Sequence, residues 1–238
     1  MRPARRVPAA PRATAGGGRT RESLVDRAYE EIRRRILDNQ YPPAHQVLEH
    51  ELAVELGMSR TPIREALVRL QNEHFVHLIP RHGMRVVPLS VQDLRDVYEV
   101  LTALELTAIE RLARSELDRK AIAALEKFLD EMDLAVKKGD VDAWVKADER
   151  LHRTIFSSCG NARLAAMADA LWDQGHRART TTAHLRASLE TSNTEHRAVI
   201  DAIRRHDWRE ARARHVKHRT RATGDIIKLL QQTRLGSF

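Results

Sequence analysis

Helical periodicity without β-type alternation is the feature that most limits how this chain can fold. From residue 91 onward, apolar residues recur every three or four positions. The segments with this period span approximately 91–116, 118–138, 140–158, 161–186, 189–206 and 207–232. Asp, Gly, Asn or Ser separate them, as in KKGD and SCGN. The pattern predicts about six antiparallel helices, an all-α bundle whose interior is a natural place for a ligand.

Three helices are predicted in the first part of the chain, residues 22–88. The first spans about 24–36 and ends at NQYPPAHQ, because proline cannot continue a helix. The second is short, 49–56, and Gly57 separates it from the third. The third helix has an apolar face formed by Ile63, Ala66, Leu67 and Leu70. Its opposite face carries Arg60, Thr61, Arg64, Glu65 and Val68.

After the third helix, FVHLI and MRVV predict two short strands around a Pro/Gly turn, with Arg81 and His82 at the hairpin tip. Three helices followed by a hairpin is the plan of a winged helix-turn-helix, whose third helix enters the major groove of DNA. A helix N-terminus attracts phosphate, and Arg60 and Arg64 lie one turn apart, within reach of guanine edges or phosphates. The alternative is a small three-helix fold with ordinary surface arginines.

The formal net charge of +8 does not by itself identify a DNA-binding domain. Much of the excess lies in residues 1–21, MRPARRVPAAPRATAGGGRTR, which we interpret as a disordered basic tail. Between residues 24 and 88, arginines and acidic residues are equal in number. No long apolar run is present, so we expect no membrane segment. The single cysteine, Cys159, is consistent with a reducing cytoplasm.

A second candidate site consists of polar residues on the apolar faces of the bundle helices. In DAWVKADERLHRTIF, Asp148 and His152 share one stripe with apolar residues, and His196 and His218 lie on apolar faces of two later helices. Buried polar groups need partners, and one carboxylate with three imidazoles suits a borderline divalent metal. Each histidine alone could equally be an ordinary core or surface residue. The competing candidate ligands are His176, His184, His206 and His215.

The stretch LEHELAVELGMSRTPIREALVRLQNEHFVHLIPRHGMRVVPLS closely resembles the N-terminal domain of GntR-family bacterial repressors. The resemblance implies DNA contacts by residues of the first helix, the third helix and the wing. Together with the hairpin tip, the predicted DNA-binding residues are Arg35, Ser59, Arg60, Thr61, Arg64, Arg81, His82 and Gly83. Ala44 and His74 stand at two turn positions where the family has glycine, so we expect the local turns to differ.

The helical half resembles the FCD effector-binding domain of the FadR-type branch of that family. There a metal is held by D-x3-H on one helix and by two later histidines, a pattern matched by Asp148, His152, His196 and His218. The resemblance implies a divalent metal, zinc first, with nickel, manganese or iron as alternatives. Leu101 replaces an arginine that in many such domains pairs with an effector carboxylate. Arg150 and Arg177 are the candidates to take its place.

The sequence therefore predicts a mainly α protein, with a winged helix-turn-helix at 22–88 and an all-α metal- and effector-binding, dimerisation domain at 90–238. We expect a cytoplasmic homodimeric regulator, a repressor in most proteins of this type, that binds palindromic double-stranded operator DNA. A small-molecule effector, expected to be a carboxylate, would complete the metal site and shift the bundle between arrangements.

Two alternatives remain open at this point. One is a metal-dependent, hydrolase-like enzyme fused to a DNA-binding head, since an open His/Asp site can activate water. A positioned general base is not evident, because the helix turns Glu149 about 100° away from Asp148. The other alternative is a purely structural dimerisation block with hydrogen-bonded core histidines.

Overall fold

A computed structural model of the chain describes residues 23–88, 90–115, 119–186 and 189–232. The basic tail predicted at residues 1–21 lies outside the described residues. The first part forms three helices and a three-stranded sheet. Its elements are α1 (Leu24–Leu37), β1 (Gln46–Val47), α2 (Glu49–Glu55), α3 (Arg60–Asn72), β2 (Val76–Ile79) and β3 (Gly83–Val86).

The second part is built of helices alone within the described residues. They are α4 (Val91–Arg114), α5 (Arg119–Lys138), α6 (Val141–Ser158), α7 (Ala162–Gln174), α8 (His176–Ala183), α9 (Glu190–Arg204) and α10 (Trp208–Gln232). Side chains of Ser90, Asp140 and Asn161 accept hydrogen bonds from backbone N–H groups in the first turns of α4, α6 and α7, which stabilises those helix starts. No helix in the described ranges is long and apolar enough to cross a bilayer.

The prediction of one helix over 161–186 is wrong, because α7 and α8 are separate helices divided at Gly175. A Cβ atom at Gly175 would lie 2.7 Å from Arg179 Nη1 and 3.2 Å from the Tyr98 ring. The glycine therefore lets Tyr98 and Arg179 approach the backbone where the helix axis changes. The other predicted bundle helices are present, with ends shifted by one or two residues.

The first part of the chain, called the head below, has its own hydrophobic core beneath α3. Ile63, Ala66, Leu67 and Leu70 are fully buried, as their helical spacing predicted. They pack against Ile32 of α1 and apolar side chains of the sheet. Full burial of each Leu or Ile stabilises the head by about 1.5–3 kcal/mol. The polar face of α3 is left in solvent as a consequence.

The sheet has the order β1–β3–β2, with both pairs antiparallel. The hairpin of β2 and β3 was predicted, but β1 was not, because a two-residue strand carries no readable alternation. Gly83 has φ +72°, and a Cβ there would lie 2.2 Å from the carbonyl oxygen of Val47. Glycine at this position therefore allows β1 to pair with β3.

The turns at Ala44 and His74 do not differ in the way expected. Ala44 has φ 64° and His74 has φ 62°, the left-handed conformation that glycine would adopt most easily. The Ala44 N–H donates to Val86 O at 3.0 Å, and the His74 N–H donates to Gln71 O at 3.0 Å. These backbone hydrogen bonds stabilise both turns despite the side chains.

The bundle has a second hydrophobic core, formed by helices α4 to α10. Its largest fully buried side chains include Trp172, Tyr98 and Phe156. Two polar contacts join it to the head: Arg33 of α1 forms an ion pair with Asp173 at the end of α7, and Arg177 Nη2 donates to Val87 O at 2.8 Å. The bundle and the head therefore meet near the α7–α8 break.

Candidate metal centre and nucleic-acid interface

Four side chains from α6, α9 and α10 converge inside the bundle, and we call Asp148, His152, His196 and His218 the His/Asp cluster. Potential ligand atoms of the three histidines lie within 4.8 Å of one another. Asp148 Oδ1 is 3.1 Å from His196 Nε2 and 3.7 Å from His152 Nε2. All four residues are buried. The structure thus brings together the complete set that helical spacing and family resemblance indicated.

Two carboxylates orient the histidines from behind. His152 Nδ1 lies 2.8 Å from Glu105 Oε1, although the angle is not that of a well-formed hydrogen bond. His218 Nδ1 lies 2.8 Å from Glu195 Oε2 in a hydrogen bond. In both histidines Nδ1 faces a carboxylate, so Nε2 is the atom that could bind a metal. Carboxylate–imidazole pairs of this kind fix the ring orientation of metal-binding histidines.

Glu105 was missed by the sequence reasoning. It is fully buried on α4 and also faces His215 Nε2 at 3.3 Å and Arg219 Nε at 2.9 Å. Burial opposes its ionisation, but Arg219 and His152 outweigh that effect and hold the pKa of Glu105 well below its ordinary value. A carboxylate one turn beyond Leu101, on the apolar stripe of α4, was the available signal.

The protonation states of the cluster suit a cation. Burial lowers the pKa of His152 to about 4, against the raising influence of Asp148 and Glu105. Burial also holds the pKa of His218 well below its ordinary value, and His196 adds to that effect. Burial alone would raise the pKa of Asp148, but His152 and His196 lower it to about 2. At neutral pH, His152 and His218 are neutral and Asp148 is charged, the forms that bind metals.

The donor set fits a divalent first-row metal. Three imidazole nitrogens and one carboxylate oxygen are ligands that zinc, nickel, manganese and iron share, and the donors do not choose among these metals. The competing histidines lie outside the cluster. His215 faces Glu105, His176 lies 3.7 Å from Glu149, His184 pairs with Asp142 at the surface, and His206 contacts Ala113 O at 3.1 Å.

Neither arginine predicted for the effector contacts the cluster. Arg150 pairs with Glu131 of α5 at the surface and packs against Phe128. Arg177 is buried, but it donates to Val87 O at the junction with the head. The sequence does not show the direction of either side chain, because a long arginine side chain can extend over several neighbours.

Arg179 on α8 packs against Trp172, whose ring contacts His152 of the cluster. Its guanidinium carbon is 3.6 Å from the centre of the Trp172 ring, which in turn is 4.2 Å from the His152 ring. Arg179 Nη1 is buried without a hydrogen-bond partner among the described residues. Arg179 also has no carboxylate within ion-pair distance in the described ranges. An anion beside the cluster would satisfy this buried cation.

The predicted DNA-binding residues lie mostly on one face of the head. Ser59 is the N-cap residue of α3, and Arg60, Thr61 and Arg64 of its first turns are exposed. A groove of about 440 Å³ separates them from the wing, and Arg60, Arg64, Arg81 and Gly83 are among its lining residues. His82 is exposed at the wing tip, whereas Gly83 is buried and shapes the wing. The face presents exposed cations at a helix N-terminus.

Arg35 is the exception among the predicted DNA contacts. It forms ion pairs with Glu31 at 2.7 Å and with Glu55, and it donates to Tyr41 Oη at 2.8 Å. Only 15% of its side chain is exposed. In this structure Arg35 therefore links α1 to α2, and it would have to exchange these partners to contact a phosphate.

A winged helix-turn-helix joined to an all-α bundle with a buried His/Asp cluster defines a DNA-binding regulator with a sensor domain. Residues 24–86 match the family described as "Bacterial regulatory proteins, gntR family", and residues 96–221 match the FCD domain. The chain belongs to the gntR family of bacterial transcriptional regulators and carries an FCD domain. This is a family of regulators rather than enzymes, which leaves the hydrolase alternative without support.

The chain is also similar to named transcriptional regulators and to a solved structure with the same fold. The chain is 39% identical over 145 residues to an uncharacterised HTH-type transcriptional regulator of the TAR-I ttuE-ttuC' intergenic region in Agrobacterium vitis, covering 60% of this chain and 85% of that protein. It is 32% identical over 143 residues to the gluconate operon transcriptional repressor of Bacillus licheniformis, covering 60% and 58%. The structure of E. coli McbR/YncC has the same fold, with TM-score 0.75, 21% identity, and 87% and 98% coverage.

Proposed function

We propose that the protein is a cytoplasmic, ligand-responsive repressor that binds a palindromic operator as a homodimer and senses a carboxylate at a metal held by the His/Asp cluster. The observation that carries the proposal is the convergence of Asp148, His152, His196 and His218 in the bundle interior, with ligand atoms of the three histidines within 4.8 Å. Repression is supported by a relative named as the gluconate operon repressor.

The DNA-binding step uses the first turns of α3 and the wing. Arg60, Thr61 and Arg64 extend from the helix N-terminus, where backbone N–H groups attract phosphate, and arginine can read guanine in the major groove. Arg81 and His82 would contact the backbone or the minor groove. A twofold dimer would present two such heads to the two halves of a palindrome.

The sensing step uses the cluster and Arg179. The four residues of the cluster would hold a divalent cation, and a cation that takes five or six ligands would leave a position for a carboxylate oxygen. Arg179, held by Trp172 and donating to its backbone oxygen at 2.5 Å, would pair with the same anion through its unpartnered Nη1. Binding there would favour one arrangement of the bundle and therefore one spacing of the heads.

His196→Ala tests the proposal, with His184→Ala as the matched control because His184 is an exposed histidine outside the cluster. We expect His196→Ala to lose bound metal and the effector response while its operator affinity stays within twofold of the unmodified protein. Elemental analysis and operator-binding assays measure these properties. Unchanged metal content in His196→Ala would disprove the ligand set. If the unmodified protein took up no metal when metal was supplied, only the purely structural alternative would remain.

A further inference from the structure

We propose that Val68 is a specificity-determining residue, whose side chain packs against the 5-methyl group of one thymine in the major groove of each operator half-site. The inference rests on the proposed function, in which α3 enters the major groove, and it adds an apolar base contact to the polar ones. Val68 lies on the solvent side of α3 with 43% of its surface exposed. We call Thr61, Arg64, Glu65 and Val68, which are all exposed, the reading face of α3.

The reading face lies opposite the side of α3 that packs on the core of the head. That side consists of four fully buried apolar residues, Ile63, Ala66, Leu67 and Leu70. Because successive residues of a helix are about 100° apart, Thr61 and Val68 differ by only about 20° around the axis. Arg64 and Glu65 flank the line that joins them. A recognition helix can present four side chains with this i, i+3, i+4, i+7 spacing to the edges of the bases.

The position of Val68 along α3 extends the contacts that the helix N-terminus can make. Seven residues separate Val68 from Thr61, which corresponds to about 10 Å along the helix axis. Base pairs follow one another about every 3.4 Å, so the two side chains can face bases about three pairs apart. Val68 therefore adds a base position to those within reach of Arg60 and Thr61.

The long side chain next to Val68 is held by the head and does not cover it. The guanidinium carbon of Arg69 lies 3.6 Å from the centre of the Tyr29 ring. Arg69 also forms ion pairs with Asp26 at 3.4 Å and with Glu73 at 3.3 Å. These contacts keep Arg69 on the side of α3 that faces α1, and the methyl groups of Val68 remain open to a partner.

Glu65 indicates that this part of the reading face lies over bases rather than over phosphates. Arg69, four residues later, would be its usual helical partner, but Arg69 pairs with Asp26 and Glu73 instead. Glu65 has no cation within ion-pair distance among the described residues. A carboxylate repels phosphate, whereas over the base edges it can accept a hydrogen bond from the amino group of cytosine. Val68 is one turn further along the same face.

The chemistry of the base edges selects the partner of a valine. The 5-methyl group of thymine is the apolar group that base pairs present in the major groove, and the other edges carry hydrogen-bond donors and acceptors. Valine has no group to pair with those atoms, so covering them would cost free energy without compensation. Contact with thymine instead removes two apolar surfaces from water, and one methyl group buried in this way corresponds to about fourfold in affinity.

The test removes the thymine methyl group from the DNA and the valine methyl groups from the protein. The full chain first selects an operator from random duplexes, and each thymine is then replaced by deoxyuracil, which lacks only the 5-methyl group. By fluorescence anisotropy, we expect one replacement in each half-site to weaken binding about fourfold, and both together about tenfold. In Val68→Ala the same replacements should change the affinity less than twofold. Val216→Ala on α10, where 41% of the valine is exposed, is the matched control and should keep the full effect.

The outcomes separate this inference from the proposed function. A selected operator without thymine in its half-sites, or equal sensitivity to deoxyuracil in Val68→Ala and the unmodified protein, would overturn the role of Val68 while specific operator binding still supported the regulator. Failure to select any sequence would overturn both. Thr61→Ser removes the other methyl group of the reading face, and loss of the deoxyuracil effect in this variant alone would also overturn the role of Val68. Because Val68 is exposed and alanine favours helices, Val68→Ala should fold.

Discussion

Ala44 and His74 adopt the left-handed backbone conformation although neither is glycine. A Cβ in this region costs about 1 kcal/mol through its contact with the following carbonyl oxygen. The head tolerates this strain because its turn hydrogen bonds and core contacts are stronger in sum. The two positions are therefore places where the stability of the head can be raised without altering the DNA-binding face.

Replacing Ala44 with glycine should raise the free energy of unfolding of the head by about 0.5–1 kcal/mol, because glycine adopts φ 64° without strain. Differential scanning calorimetry of the full chain measures the change. The control is Ala103→Gly on the exposed side of α4, which should lower the stability of the bundle by about 1 kcal/mol. A lower melting temperature of the head in Ala44→Gly would contradict the argument.

Glu105 acts at the residue scale as a positioning group for His152. Glu105→Gln should weaken metal binding by about 10–100-fold, because the amide no longer holds the His152 ring as strongly. Competition with a chromophoric chelator measures the affinity, and a melting curve separately reports the effect of leaving Arg219 unpaired. Glu99→Gln, exposed on the same helix, should change neither. Unaltered metal affinity in Glu105→Gln would remove Glu105 from this role.

At the scale of elements, α7 connects the sensor to the head. Trp172 packs 4.2 Å from the His152 ring, and the next residue, Asp173, pairs with Arg33 of α1 and with Arg153 Nη2 at 2.5 Å. A shift of His152 can therefore reach α1 through two adjacent residues of one helix. The Arg33–Asp173 ion pair is therefore a direct means of coupling the two cores.

Arg33→Gln should uncouple effector binding from DNA binding. We expect the effector-induced change in operator affinity to fall about fivefold, which corresponds to about 1 kcal/mol of coupling, while metal content is unchanged. Fluorescence anisotropy of a labelled operator, with and without the acid that binds best, measures the change. Arg34→Gln is the matched control, since among the described residues Arg34 pairs with Glu31 of α1 and with Asp38 directly after α1. Equal coupling in the two variants would exclude this route.

At the scale of the whole molecule, the positive net charge is not in the head. Arginines and acidic residues are equal in number there, and the excess of positive charge lies in the rest of the chain. Operator affinity should fall steeply with salt, because each phosphate contact releases counterions.

Arg64→Ala should abolish specific operator binding and leave the circular dichroism spectrum unchanged, since its side chain is exposed. Arg163→Ala on the bundle serves as the control. Retained operator affinity in Arg64→Ala would remove this residue from the interface.

The local sequence pattern predicted much of the fold and part of the candidate site. Ile63 and Leu67 were assigned to the core, and Arg60 and Arg64 to the surface, from the helical period alone, as the structure confirms. The His/Asp cluster was found because a polar residue on an apolar stripe is visible in sequence. Arg150 and Arg177 lie away from the cluster, and periodicity could not show this, because a long side chain has many directions that it does not restrict.

What the sequence by itself determined is the succession of elements, the buried face of each helix and the identity of the inward-facing polar side chains. These depend on residues a few positions apart and on propensities that act within one turn. Only the tertiary structure decided that Asp148 meets His196, 48 positions away, and that Glu105 meets His215, 110 positions away. It also decided that Arg186 lines a cavity between α8, α9 and α10. Such contacts follow from how helices pack, and packing is settled by the whole set of side chains at once.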